Sequence, residues 1–240
     1  MLLLRGIVLV GVLALLSACS ATQTLTLDEN GSGGAEVHIT IDPVFAAYLT
    51  DLSVGIGGSE ETSIFDVEAI RTSLQAQPGV LVNRVETEGT RELHVQVEFD
   101  SLEQLLRGPG RSAHRFIRFE RTESFNRLAA AIDRAAMEQI VAIAGIDPFV
   151  SDALLPPDDE MSAAEYRDYL GWAFEEYAED RPIDEIFRGS RLATTIEPSG
   201  SVIQVRGGEA RAGTVEFVTP LVDAVTAREP FTYSLVYIRE

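Results

Sequence analysis

One thiol, three imidazoles and 38 carboxyl groups are the side chains of this sequence best suited to chemistry. The thiol is Cys19, and a single cysteine has no partner for an intramolecular disulfide. His38 and His94 each alternate with apolar residues, which puts them on the polar faces of strands, and pairing of two hairpins would bring them together. His114 lies elsewhere. Solitary surface histidines far outnumber ligand pairs, so no metal and no cofactor is assigned. The run Asp158-Asp159-Glu160 lacks the alternating Asp/Asn and glycine of a calcium loop and is expected to be a solvated acidic segment. Paired carboxylates for glycoside hydrolysis are defined by their separation in space, so sequence nominates no such pair. The patterns HExxH, GxSxG, GxGxxG and the phosphate-binding P-loop are absent, and no catalytic residue is assigned.

Cys19 stands in a distinctive context. A single positive charge at Arg5 precedes a short apolar run, Ile7 to Leu15, and small residues follow it, as in a secretory signal peptide over residues 1–18. The segment from Leu2 to Ala18 falls short of the ~20 residues that cross a bilayer comfortably. Leu16-Ser17-Ala18-Cys19 resembles the lipobox of bacterial lipoproteins. The resemblance implies diacylglycerol on the Cys19 sulfur, cleavage between Ala18 and Cys19, and acylation of the new amine. Several acyl chains suffice for stable anchoring, and lipidation accounts for a lone thiol in an oxidising compartment. The chain is therefore expected at the cell envelope with the membrane as its first partner. Ser20 after the cysteine resembles the class sorted to the outer membrane, where the organism has one.

Losing residues 1–18, Arg5 among them, turns a chain of net charge −19 into 222 residues at −20. All 19 basic residues are arginine. This acidic balance argues against nucleic acid, which needs a basic footprint. Hydrophobic residues, at 45%, are enough for a substantial core. The charge is uneven. Between Arg107 and Arg134 seven arginines meet three acids, a local +4, whereas Asp147 to Glu185 holds thirteen acids against Arg167 and Arg181, a local −11. Adjacent blocks of opposite sign are expected to dock on each other. The other use of the arginine block, with Arg111, Arg115 and Arg118 as candidate interaction residues, is contact with anionic headgroups beside the anchor.

The elements that must position these groups follow from periodicity. Residues 19–23 are expected to be a lipidated tether, and residues 24–240 a single α+β domain. Leu25 and Leu27 alternate with threonines, and beyond a Gly-rich break Val37, Ile39 and Ile41 alternate with Glu36, His38 and Thr40, which predicts a hairpin. Asp42-Pro43 caps and opens a helix to about Leu52. A Gly/Ser/Glu loop over 55–62, a helix over 66–77 and a second hairpin over 80–99 come next. Ser101-Leu-Glu-Gln104 is a capping box, and 114–121 is expected to be a strand. From Phe125 onward, Leu128, Ala129, Ile132, Ala136 and Ile140 fall at helical spacing, predicting a helix to about Gly145. Ser162-Ala-Ala-Glu165 is another capping box, and its helix puts Trp172 among acidic residues. Trp172 is expected to pack under a neighbouring element, or else to be an exposed anchor for a partner or a membrane interface. Strands are predicted over 191–196, 202–206 and 214–218, then a helix capped by Thr219-Pro220, then an apolar central strand over 231–238. Together these give an antiparallel or mixed sheet built from both ends of the chain, 24–121 and 191–240, with 122–190 as a helical insertion.

The run from Thr24 through Gly31-Ser-Gly-Gly34 to Asp42, and Val97-Glu-Phe-Asp-Ser-Leu-Glu-Gln104, resemble the LppM-like group of bacterial envelope lipoproteins. That resemblance implies an α+β domain at a membrane, an amphiphile-binding cavity and no catalytic residues. Members often carry a C-terminal transmembrane helix, whereas this sequence ends Tyr233-Ser-Leu-Val-Tyr-Ile-Arg-Glu240, so anchoring is expected to rest on Cys19. The function expected is that of a non-enzymatic, membrane-anchored envelope lipoprotein binding a lipid or other hydrophobic ligand. The alternatives are a structural or assembly-factor lipoprotein docking a protein through Trp172, and a carboxylate-based envelope hydrolase.

Overall fold

Residues 19–55, 64–107, 116–138, 155–158, 160–179 and 181–239 are described by a computed structural model. With strands and helices numbered in chain order, β1 (Cys19–Leu27), β2 (Gly33–Ile41), β3 (Val80–Glu88), β4 (Glu92–Phe99), β7 (Arg191–Pro198), β9 (Glu209–Arg211) and β10 (Thr214–Pro220) form one sheet. Its order is β3-β4-β2-β1-β7-β10-β9, which makes β1 the middle strand. A second sheet, in the order β5-β6-β11-β8, holds β5 (Ile117–Arg121), β6 (Phe125–Ile132), β11 (Phe231–Ile238) and β8 (Val202–Arg206). β1 lies parallel to β7, with Ser20 opposite Arg191, and the other pairings are antiparallel. The fold is thus α+β, with a mixed sheet joining the two ends of the chain.

The alternation read from the sequence is the alternation of burial. Leu25, Leu27, Val37, Ile39, Ile41, Leu93, Val95, Val97 and Phe99 turn inward, and buried residues of both sheets belong to one apolar cluster. β11 is internal to its sheet, and five consecutive residues, Tyr233 to Tyr237, are buried. The helices are α1 (Pro43–Gly55), α2 (Val67–Gln75), α3 (Leu102–Arg107), α4 (Ala163–Ala173), α5 (Ile183–Gly189) and α6 (Leu221–Thr226). None of the described helices is long and apolar enough to cross a membrane. Asp42 caps α1 by accepting from the Val44 N–H at 3.0 Å, Asp66 caps α2, and the Ser162/Glu165 capping box is complete.

A layer of aromatic side chains ties three helices together. Phe174, at the end of α4, is fully buried, with ring centroids 5.6 Å from Phe45 and 5.3 Å from Tyr48, both edge-on, and 6.4 Å from Phe187 of α5. The turn of the first hairpin ties the two sheets. The carbonyl of Asp28 accepts from Tyr237, that of Glu29 from the buried Asn126 and that of Asn30 from Arg121. Gly31, at φ +84°, sits against the ring of Phe119 and accepts from the Leu102 N–H at 2.8 Å.

Several expectations are corrected. No tether occupies 19–23: β1 begins at Cys19, opposite Ile41, because Ala21 is already a buried position in the alternation. Residues 125–132 are strand, not helix, since Asn126, Leu128 and Ile132 turn inward and the strand pairs with β5 and β11 along its length. Helix begins only at 134, so the segment 122–190 is not wholly helical. Thr219 does not cap α6; its buried hydroxyl donates to the Tyr233 oxygen at 2.9 Å instead. The signal segment with Ala18, the loop 56–63, His114, Arg111 and Arg115 and the stretch 139–154 lie outside the described residues.

Candidate functional site

Because alternate strand residues point to opposite faces, the inward set just named leaves a polar outer face on the larger sheet. It carries Thr22, Thr24 and Thr26 of β1, Glu36, His38 and Thr40 of β2, and Glu92, His94, Gln96 and Glu98 of β4. His38 and His94 are register partners. Their rings stack with centroids 4.0 Å apart and planes 16° from parallel. Glu92, on the same face as His94, brings Oε2 to 3.2 Å from Nε2 of His38. One donor atom each from His38, His94 and Glu92 lie within 4.8 Å of one another, a spacing from which one cation could be held. On the far side of His94 stands Glu86 of β3, hydrogen-bonded by Arg84, whose guanidinium holds the Glu86 carboxyl below the usual carboxylate range.

The sequence allowed this approach through pairing of two hairpins but assigned no ligands, because solitary surface histidines far outnumber ligand pairs. A signal was nonetheless present: Glu36-Val-His38 and Glu92-Leu-His94 repeat one pattern in phase with the strand period. Only the register turns the two copies into a pair.

A shallow groove crosses the same face, over Gly33 and Gly34, and its walls include Thr24, Thr26, Glu36, Gln96 and Glu98. The Gly34 N–H donates to Oγ1 of Thr26 at 2.9 Å. The lining is mixed: hydroxyl, amide and carboxylate groups stand beside Ala35, Val80, Leu81, Val97 and Phe99.

The other sequence candidates are scattered. Trp172 is 72% exposed, against the expectation that it packs under a neighbour. The buried stripe of α4 is Tyr166, Leu170 and Phe174, which leaves Trp172 on the acidic side with the Tyr169 ring 6.2 Å away. Arg118 of β5 is exposed between buried Ile117 and Phe119. Cys19 opens β1 opposite Ile41, and the next residue, Asp42, accepts two hydrogen bonds of 2.9 Å from Arg181. The end of α4 and the turn after it therefore gather at the Cys19 end of the sheet. Where the basic and acidic blocks meet, Arg134 donates to the carbonyls of Asp158 at 3.0 Å and Pro156 at 3.3 Å, so this contact is made to backbone oxygen.

Among the described residues, two carboxyls are held below the usual carboxylate range. Glu86 is paired with Arg84, and Glu165 is held low by the Ser162 N–H and hydroxyl that it caps. Burial raises the phenol of Tyr237 to about 12. Tyr177 is raised as well, first by burial and then by its hydrogen bonds to Glu176 and Asp51.

The fold and this outer face define an α+β protein with two sheets sharing one core. No family model matches the sequence, and no curated protein matches it. Among solved structures the chain is similar to the folded domain of LppM from Mycobacterium tuberculosis, solved by NMR, at 11% identity and a TM-score of 0.43, with 92% of this chain and 90% of that chain covered.

Proposed function

We propose that this chain is a non-enzymatic lipoprotein of the cell envelope, held to a membrane by lipid on Cys19. The observation that carries the proposal is the N-terminal sequence, a charged start, a short apolar run and Leu16-Ser17-Ala18-Cys19. The position of Cys19 as first residue of the middle strand supports it, because acyl chains there would hold the sheet against the bilayer with no spacer. A Cys19→Ser chain should move from the membrane to the soluble fraction and lose incorporation of labelled fatty acid. Membrane fractionation equal to the unsubstituted chain would overturn the proposal.

A groove that mixes polar and apolar lining supports binding of an amphiphile as well as a docking role for this body. A second surface supports the same role: Trp172, 72% exposed beside Tyr169, offers the kind of amphipathic aromatic that anchors protein interfaces. Crosslinking in intact cells should join an envelope protein to the native chain and not to Trp172→Ala. An unchanged crosslinking pattern would remove Trp172 from the docking surface.

A further inference from the structure

We propose that His38, His94 and Glu92 form a binding site for a divalent transition-metal cation, with Zn2+ the ion their chemistry fits best. The two imidazoles come from strands distant in sequence, yet the β2–β4 ladder makes them register partners, so backbone hydrogen bonds fix their separation. Their rings are stacked at 4.0 Å with nearly parallel planes. The Glu92 carboxylate already reaches Nε2 of His38, and the three donor atoms lie within 4.8 Å of one another.

Bonds of ~2.0–2.2 Å from zinc to nitrogen and oxygen put tetrahedral ligand atoms about 3.3 Å apart. Closing on an ion therefore asks for about 1.5 Å of travel at the side-chain tips. The side chains of His38 and Glu92 are only about two-thirds buried, at 38% and 33% exposure, and can swing by rotation while the strands stay in place. Two imidazole nitrogens, one carboxylate oxygen and a position open to water are a donor set suited to zinc. The surrounding charge favours a cation. Glu36 lies two residues before His38 on the same face, and Glu86 and Glu88 stand opposite His94 and Glu92 on β3. Arg84, the basic residue among them, is already engaged by Glu86. Glu86 stands opposite His94 in the β3–β4 register, a carboxylate beside a proposed ligand histidine. The site does not depend on lipid at Cys19.

Equilibrium dialysis of the full-length chain in detergent against Zn2+ should give one ion per chain. His38→Ala and His94→Ala should each weaken binding at least tenfold, and Glu92→Gln by a smaller factor. Affinity unchanged by either histidine substitution would overturn the site, as would binding no tighter than in the His38→Ala/His94→Ala double variant. Proton NMR of the unsubstituted chain supplies a measure independent of any variant. Zn2+ should shift the ring resonances of two histidines and leave the third, His114, in place; two unshifted rings would mean that the stacked pair and its hydrogen bond to Glu92 hold no metal.

Discussion

Replacement of Phe174 by alanine should cost about 3–5 kcal/mol of folding stability, the range for truncating a fully buried aromatic. The side chain is 0% exposed and is surrounded by rings from two other helices, Phe45 and Tyr48 of α1 and Phe187 of α5. Its loss removes the apolar transfer term and the edge-on ring contacts, each worth about 0.5–1.5 kcal/mol. It also leaves a cavity that helices pinned elsewhere cannot close. Arg181 is held by Asp42, and Tyr177 donates to Asp51 at 3.1 Å, so the segment after α4 cannot easily slump inward. Against a domain stability of about 5–15 kcal/mol this is a large fraction. Urea unfolding followed by far-UV circular dichroism should show a lower midpoint with the slope unchanged. Trp172→Ala is the internal control. It lies two residues away on the same helix but on the exposed side, so its midpoint should barely move. Equal effects from the two substitutions would mean that α4 does not bury the stripe described.

Gly33→Ala should destabilise the chain by about 3 kcal/mol, the upper end of the range for forcing atoms into a packed site. A Cβ at Gly33 would stand 1.9 Å from the Thr26 carbonyl oxygen and 2.9 Å from its carbon, with the Phe99 ring at 3.2 Å on another side. The obstruction is backbone, and the strand that carries it cannot retreat. β1 is paired along its length to β2 on one side and β7 on the other. Gly34→Ala tests the same argument at a milder contact. Its nearest obstacle is the Thr26 hydroxyl at 3.2 Å, which need give only a few tenths of an ångström and can keep its bond to the Gly34 N–H, so the loss should be about 1 kcal/mol. Thermal unfolding of the two variants side by side makes the comparison, and similar losses at 33 and 34 would refute the steric account.

How far the fold was legible depends on the range of the interaction that fixes each part. The hairpin strands showed because Thr-Leu-Thr-Leu27 and Val37-His-Ile-Thr-Ile41 carry their period locally. Helix starts showed because Asp42, Asp66 and Ser162 bond within three residues. Strand β6 was hidden because Ala129-Ala-Ala131 has no phase of its own, so apolar residues on either side fit a helix as well as a strand. Its state is decided by Ser234 opposite Ala129 and Leu235 opposite Leu128, more than a hundred residues away in sequence. Thr219 failed as a cap for a similar reason. A buried phenol, Tyr233, claimed its hydroxyl. The lipobox-like run Leu16-Ser17-Ala18-Cys19 was legible at once, since a targeting signal is a linear pattern. The His38–His94 pair was visible as two matching tripeptides, yet only the β2–β4 register makes them neighbours.

The position of β1 between two long ladders has a mechanical consequence. A load drawn through Cys19 along the strand axis pulls β1 lengthwise between β2 and β7, so it loads both rows of hydrogen bonds in shear instead of opening them one by one. A lengthwise pull on a strand clamped on both flanks must break many bonds together, whereas the same pull on an edge strand such as β9 would meet a single short ladder of three residue pairs. Under such a load this body should therefore yield elsewhere before its first strand slips free.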